Sequence, residues 1–132
     1  MIKQLLKNLL LTFVLSSAIT LIALFVNHYF NDVVDFDSDF KGLLEFAVES
    51  YLFLSILSLP MMFLAKHSIF KKTTLRFTLY YTGSILVLIV VTLPTLREYK
   101  YAEDWLCTMI VAIFIIIHTI FYVKLVKKGF IL

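Results

Sequence analysis

Asp35, Asp37 and Asp39 stand at alternate positions in the segment NDVVDFDSDF. A calcium loop begins with that D-x-D-x-D spacing, because three carboxylates on one parity can converge on a hard cation. Such a loop then needs glycine at its sixth position and a bidentate acid at its twelfth. Counted from Asp35, those positions hold Phe40 and Phe46, so the match to an EF-hand fails at both. No metal site is assigned. With Asp32 just upstream, the aspartates have two remaining uses. They can be solvated, with Asp39 capping the start of a following helix by accepting from free backbone N–H groups. They can also dock a basic partner, and Asp32, Asp35, Asp37 and Asp39 are the candidate docking residues.

Glu45 and Glu49 are the next chemical candidates. Four residues apart, they share one face of a helix. Glu49 is about 6 Å further along that helix. In an apolar environment its carboxylate must face other helices, carry a proton or find a donor. His118 lies in a second apolar stretch, about 18 Å along its helix from Leu106. It is a candidate step on a proton path, or a neutral imidazole bonded to a neighbouring helix. Direct contact between Glu49 and His118 is not expected from their depths. No catalytic set accompanies these groups. The chain has no GxSxG, no HExxH, no cysteine pair and no histidine cluster. Cys107 is the single cysteine, so no disulfide can form within the chain. We therefore read the protein as non-enzymatic and without a cofactor.

The elements that must position these groups are unusually apolar. Of 132 residues, 61% are hydrophobic and 16% charged, where about 25% charged is usual for a soluble domain. Mean hydropathy is +0.96. Four apolar runs are each near the roughly 20 residues a helix needs to cross about 30 Å of hydrocarbon. Helices are expected at about 9–26, 43–65, 77–96 and 106–123. The fold class is thus all-α integral membrane, a single four-helix domain over residues 1–132. Lys3, Lys7 and the Ser16 to Ala18 stretch loosely resemble a cleavable signal. The first run continues to Val26, too long for such a segment, and favours an uncleaved helix.

Charge gives the orientation. Lys3, Lys7, Lys66, Lys71, Lys72, Arg76, Lys124, Lys127 and Lys128 fall at one set of run ends, and Lys41, Arg97 and Lys100 at the other. The positive-inside bias makes the first set cytoplasmic. An up-down-up-down bundle follows, with both termini and loop 66–76 cytoplasmic and loops 27–42 and 97–105 external. Six of the nine acids crowd into residues 32–49, so the external face is negative. Short length and this compact arrangement point to a bacterial inner membrane. The net charge of +3 belongs to the inner face, which can attract anionic headgroups, and does not indicate nucleic acid.

Polar stripes suggest how the helices pack. Thr12, Ser16, Thr20, Ala23 and Asn27 share a face, as do Thr78, Thr82 and Thr92, and Thr108, Ala112 and Thr119. Small residues allow close approach, so these faces should point inward or toward another subunit. Tyr29, Phe30, Tyr99, Tyr101 and Trp105 suit the headgroup zone. Pro60 lies well inside the second run and is the candidate kink, because it lacks an amide hydrogen. Pro94 only marks the last turns of the third.

The function most consistent with these features is a small membrane protein that binds another membrane protein. It would serve as an accessory, regulatory or immunity-like subunit, with membrane lipids as its other contacts. The alternative is a self-associating ion or proton channel or transporter using Glu49 and His118.

Overall fold

The computed structural model describes residues 1–30, 40–92 and 102–130. Every regular element among them is helical. Helix α1 spans Ile2–Phe30 and α2 spans Phe40–Leu57. A 3-10 segment, Leu59–Ala65, continues α2. Three short helices follow: α3 (His67–Phe70), α4 (Thr73–Tyr80) and α5 (Thr82–Val87). A π-helical turn, Leu88–Thr92, extends α5. Helix α6 spans Ala102–Lys128.

Among the described residues, three stretches are long and apolar enough to cross a membrane: Ile2–Val26, Leu44–Ala65 and Cys107–Lys128. A fourth is formed only if Thr73–Tyr80 and Thr82–Val90 are taken together as one bent span. At 1.5 Å per residue, the 29 residues of α1 measure about 44 Å. It therefore outruns a hydrocarbon layer at both ends, starting well before Leu9 and continuing past Val26.

The inward face of α1 follows the polar stripe. Thr12, Ser16 and Thr20 are fully buried, and Asn8 extends the series by one turn. Ile19, Ile22, Phe25 and Val26 point outward. A membrane protein gains nothing by hiding leucine from lipid, so small polar residues take the helix contacts and large apolar ones the periphery. Thr20 and Tyr51 of α2 share a hydrogen bond between their hydroxyls. Tyr51 in turn belongs to an apolar cluster with Ala47, Leu54, Val87, Ile110, Val111 and Phe114. A second cluster gathers Leu5, Leu9, Met61, Leu64, Phe70, Tyr80, Tyr81 and Leu125.

Pro60 acts as its chemistry requires. It cannot donate to the carbonyl one turn earlier, and it disfavours the α conformation at Leu59. The α-helix gives way to 3-10 geometry at this point. Ser58 N–H is shared between the Leu54 and Ser55 carbonyls, at 3.0 and 3.2 Å, and the Ser58 hydroxyl also donates to Leu54 O at 2.8 Å. Pro94 lies outside the described residues.

The third apolar run departs from expectation. It is not one helix from residue 77. It starts at Thr73 and breaks at Tyr81, where the two halves meet at 61°. No proline is near. Thr82 Oγ1 instead donates to the carbonyls of Thr78 (2.8 Å) and Leu79 (3.1 Å), and Thr78 Oγ1 donates to Thr74 O. Hydroxyls that bond back in this way bend helices, and the Gly83–Ser84 pair just beyond is a recognised site of kinking. Thr78 is exposed and Thr82 half-buried, so of the two expected placements this stripe does not take the inward one.

The bend brings Gly83 onto the point where α2 ends. A Cβ there would stand 2.6 Å from Ser58 Oγ, 2.8 Å from Ser58 N and 2.9 Å from the Leu57 carbonyl carbon. The interruption in one span thus seats against the interruption in another, with only a hydrogen atom's clearance.

Gly129 ends α6. Its φ of +74° is in the left-handed region, and its N–H donates to Leu125 O at 3.1 Å, the αL cap that satisfies a terminal carbonyl. The reversal carries Phe130 onto His67 and Phe70, with ring centroids 4.8 and 5.6 Å apart. Arg76 braces the same region. Its guanidinium sits over the Phe70 ring at 5.1 Å and donates to Phe70 O at 3.3 Å. Gly129→Ala is expected to lower stability by about 1 kcal/mol, the cost of a Cβ in left-handed backbone. SDS titration of the protein in micelles measures it, and an unchanged midpoint would show that the cap contributes nothing.

Candidate functional site

The sequence candidates occupy two separate environments. Asp32, Asp35, Asp37 and Asp39 lie outside the described residues. Glu45 is on the surface, its carboxylate 4.0 Å from Lys41 Nζ, with side-chain exposures of 63% and 89%. An ion pair so open to solvent contributes little.

Glu49 is the first environment. It is exposed, on the flank of α2 that does not face the bundle's interior. It lines a groove of about 280 Å³ between α2, α5 and α6. The neighbouring walls are apolar: Phe46, Phe53, Val87, Ile110 and Val111, with Ser50 and Cys107 adding small polar groups. The Ser50 hydroxyl is engaged with Phe46 O at 2.7 Å. No residue described gives Glu49 a hydrogen bond or an ion pair. Of the three resolutions open to this carboxylate, facing other helices is the one not taken. The apolar helices make the chain membrane-embedded in character.

His118 is the second environment, fully buried on α6. Its Nε2 lies 2.9 Å from the carbonyl oxygen of Tyr80, the last residue of α4. A carbonyl only accepts, so Nε2 carries the proton and donates. Nδ1 is then the unprotonated nitrogen, buried and without a hydrogen-bond partner. The carbonyls at a helix end lack donors from a next turn, and His118 supplies one at the bend. Aromatic rings enclose it. Tyr80 stacks on the imidazole at 4.1 Å and Phe114 at 5.2 Å, while Tyr81 meets it edge-on at 5.7 Å. Tyr122 closes the group against Tyr80 and Tyr81 at 4.9 and 5.4 Å. The Tyr81 hydroxyl donates to Thr119 Oγ1 at 2.9 Å, and that hydroxyl donates to Ile115 O.

The structure therefore does not bring Glu49 and His118 together. Glu49 shares its groove with Ile110 and Val111, two turns of α6 before His118. The tyrosines around His118 were not among the sequence candidates. Their spacing gives no signal, because Tyr80 and Tyr81 sit together at the break and Tyr122 reaches them from α6. Asn8 did carry a signal. It stands four residues before Thr12 and continues the same period, and its side-chain oxygen accepts from Gln4 Nε2 at 3.0 Å. Among the described residues, no three of His, Cys, Asp and Glu converge as metal ligands would.

Comparison with known protein families, curated proteins and solved structures gives no significant match. The chain's own geometry carries the functional reading.

Proposed function

We propose that this is a small, non-enzymatic integral membrane protein that pairs side-to-side with a transmembrane helix of another membrane protein, as an accessory, regulatory or immunity-like subunit. The support comes from Glu49. An exposed carboxylate in an apolar groove on the flank of a membrane span is costly when alone and favourable once a donor reaches it. The groove has an apolar lining around that carboxylate, as a docked helix requires. The complementary helix would carry an arginine, lysine or hydroxyl side chain facing Glu49, with apolar residues above and below it against Phe46, Phe53 and Val111.

The wider arrangement is proposed with it. The four spans run up-down-up-down with both termini and loop 66–76 cytoplasmic, in a bacterial inner membrane. Loops 27–42 and 97–105 are external. The Asp32 to Asp39 cluster then lies on the same side as the Glu49 end of the groove and steers a basic partner toward it. A channel built on Glu49 and His118 together has less support, because one lines a lateral surface and the other a sealed aromatic cluster.

The test is purification from the source membrane in native nanodiscs, followed by mass spectrometry of the intact complex. Wild type is expected to carry a foreign membrane protein in fixed ratio. Glu49→Leu is expected to weaken that complex by roughly tenfold or more, the loss of one charge-assisted hydrogen bond. A complex that survives Glu49→Leu unchanged removes the groove from the account. A clean homo-oligomer in both samples replaces the foreign partner with a second copy.

A further inference from the structure

The opposite end of the bundle holds a second, chemically different concavity. The first turns of α1 and the last turns of α6 enclose a groove of about 440 Å³. Its rim carries Lys7 from α1 and Lys124, Lys127 and Lys128 from α6, all exposed. None of the four forms an ion pair with any residue described. All nine acids of the chain fall between Asp32 and Asp104, outside both of the segments that build the groove. Four ammonium groups around one mouth repel one another, and no carboxylate in the wall offsets them.

The interior of the groove differs from its rim. Leu11, Phe121 and Leu125 form an apolar wall, and Lys124 Nζ lies over the Phe121 ring at 5.8 Å. Gln4 and Asn8 add two side-chain amides, and Asn8 is 2% exposed. Its side-chain oxygen accepts from Gln4 Nε2 at 3.0 Å. From Gln4 to Leu11 the lining descends about 10 Å along α1, at 1.5 Å per residue. Lysines and side-chain amides toward the outer end, with Leu11 and Phe121 at the inner end, match an amphiphile with an anionic head. We infer that this groove binds the phosphate-bearing headgroup and upper acyl chain of an anionic phospholipid. The phosphate lies among the lysines and the first methylenes against Leu11 and Phe121. A general basic surface would attract such lipids without holding one. The groove adds a fixed seat.

The experiment separates those two cases. The full-length protein is placed in nanodiscs of phosphatidylcholine with a minor fraction of phosphatidylglycerol, and lipids retained on release are identified by native mass spectrometry. Two variants lose the same charge. One carries Lys7→Gln, Lys124→Gln and Lys127→Gln in the groove. The other carries Lys66→Gln, Lys71→Gln and Lys72→Gln at exposed positions outside it. Retained phosphatidylglycerol is expected on wild type and on the second variant, and to fall at least about tenfold on the first, given the attraction each lysine adds near a charged headgroup. Equal loss on both variants, or loss on neither, overturns the proposal. Displacement of the lipid by inorganic phosphate would also overturn it, in favour of a small-anion site. The substituted lysines are solvent-facing, and micelle unfolding curves confirm that each variant is folded. Should the triple variant fail that check, Lys124→Gln alone is read against Lys71→Gln with the same expected sign.

Discussion

Gly83→Ala is expected to destabilise the protein by about 3 kcal/mol, the upper end of what overpacking a tight contact costs. The position has no room for a methyl group. A Cβ would meet three Ser58 and Leu57 atoms between 2.6 and 2.9 Å away, and two of the three belong to the backbone. A flexible side-chain tip could rotate aside, but a backbone nitrogen and a carbonyl carbon cannot move without shifting the whole end of α2. That end is already committed. Pro60 fixes the switch to 3-10 geometry, and Ser58 donates twice into the preceding turn. Relief has to come from α5, and separating α5 from α2 opens the cluster in which Val87 packs with Tyr51 and Leu54. SDS titration in micelles measures the loss. Adding Ser58→Gly should restore only a minor part, because it removes one of the three contacts and leaves both backbone ones. Gly83→Ala with a wild-type midpoint would show that the two spans do not cross there.

His118 gives the second large effect, and its variants divide it into parts. His118→Phe keeps a ring between Tyr80 and Phe114 but removes the donor to Tyr80 O. Hydrogen bonds inside membrane bundles contribute modestly, so about 1 kcal/mol is expected. His118→Ala removes the ring as well and leaves a cavity among three aromatic side chains. About 3 kcal/mol is expected there, as for other large-to-small changes in a packed interior. The ordering is the informative part. If His118→Phe proved as damaging as His118→Ala, the bond to the bend would outweigh the packing. Proton flux through reconstituted protein offers an independent check. A positioning role predicts no difference between wild type and His118→Phe, and a fall in flux would restore the histidine to a transport pathway.

The sequence made the apolar runs plain, because composition and length alone identify stretches able to span a membrane. The stripe Thr12, Ser16, Thr20 was equally legible, since period-four hydroxyls on an otherwise leucine-rich helix have few other uses. Pro60 announced its own effect through chemistry that no surroundings can change. The break at Tyr81 was not legible. Its causes are a threonine that bonds backward and a Gly–Ser pair, and both are common in spans that stay straight. What selects the bent form is Gly83 seating against Ser58, a contact between distant segments. Thr78 and Thr82 could not be assigned a direction from spacing alone: their hydroxyls bond back along their own helix and Thr78 faces outward, where only another subunit could meet it. Glu49 could be flagged as costly from its depth. Whether it faced inward or outward depended on the rotation of α2, which Tyr51 and Ala47 fix by packing on the opposite flank.

The link between His118 and the Tyr80 carbonyl also bears on the order in which the chain is made. The two residues are 38 positions apart, and the donor is synthesised second. At translation rates of about 5–20 residues per second, the carbonyl waits roughly two to eight seconds for its imidazole. Over that interval the bent α4–α5 pair lacks the imidazole that completes it, and an apolar surrounding would offer no substitute. The bend between α4 and α5 is therefore completed only once α6 has been made, which ties the third apolar run to the last one.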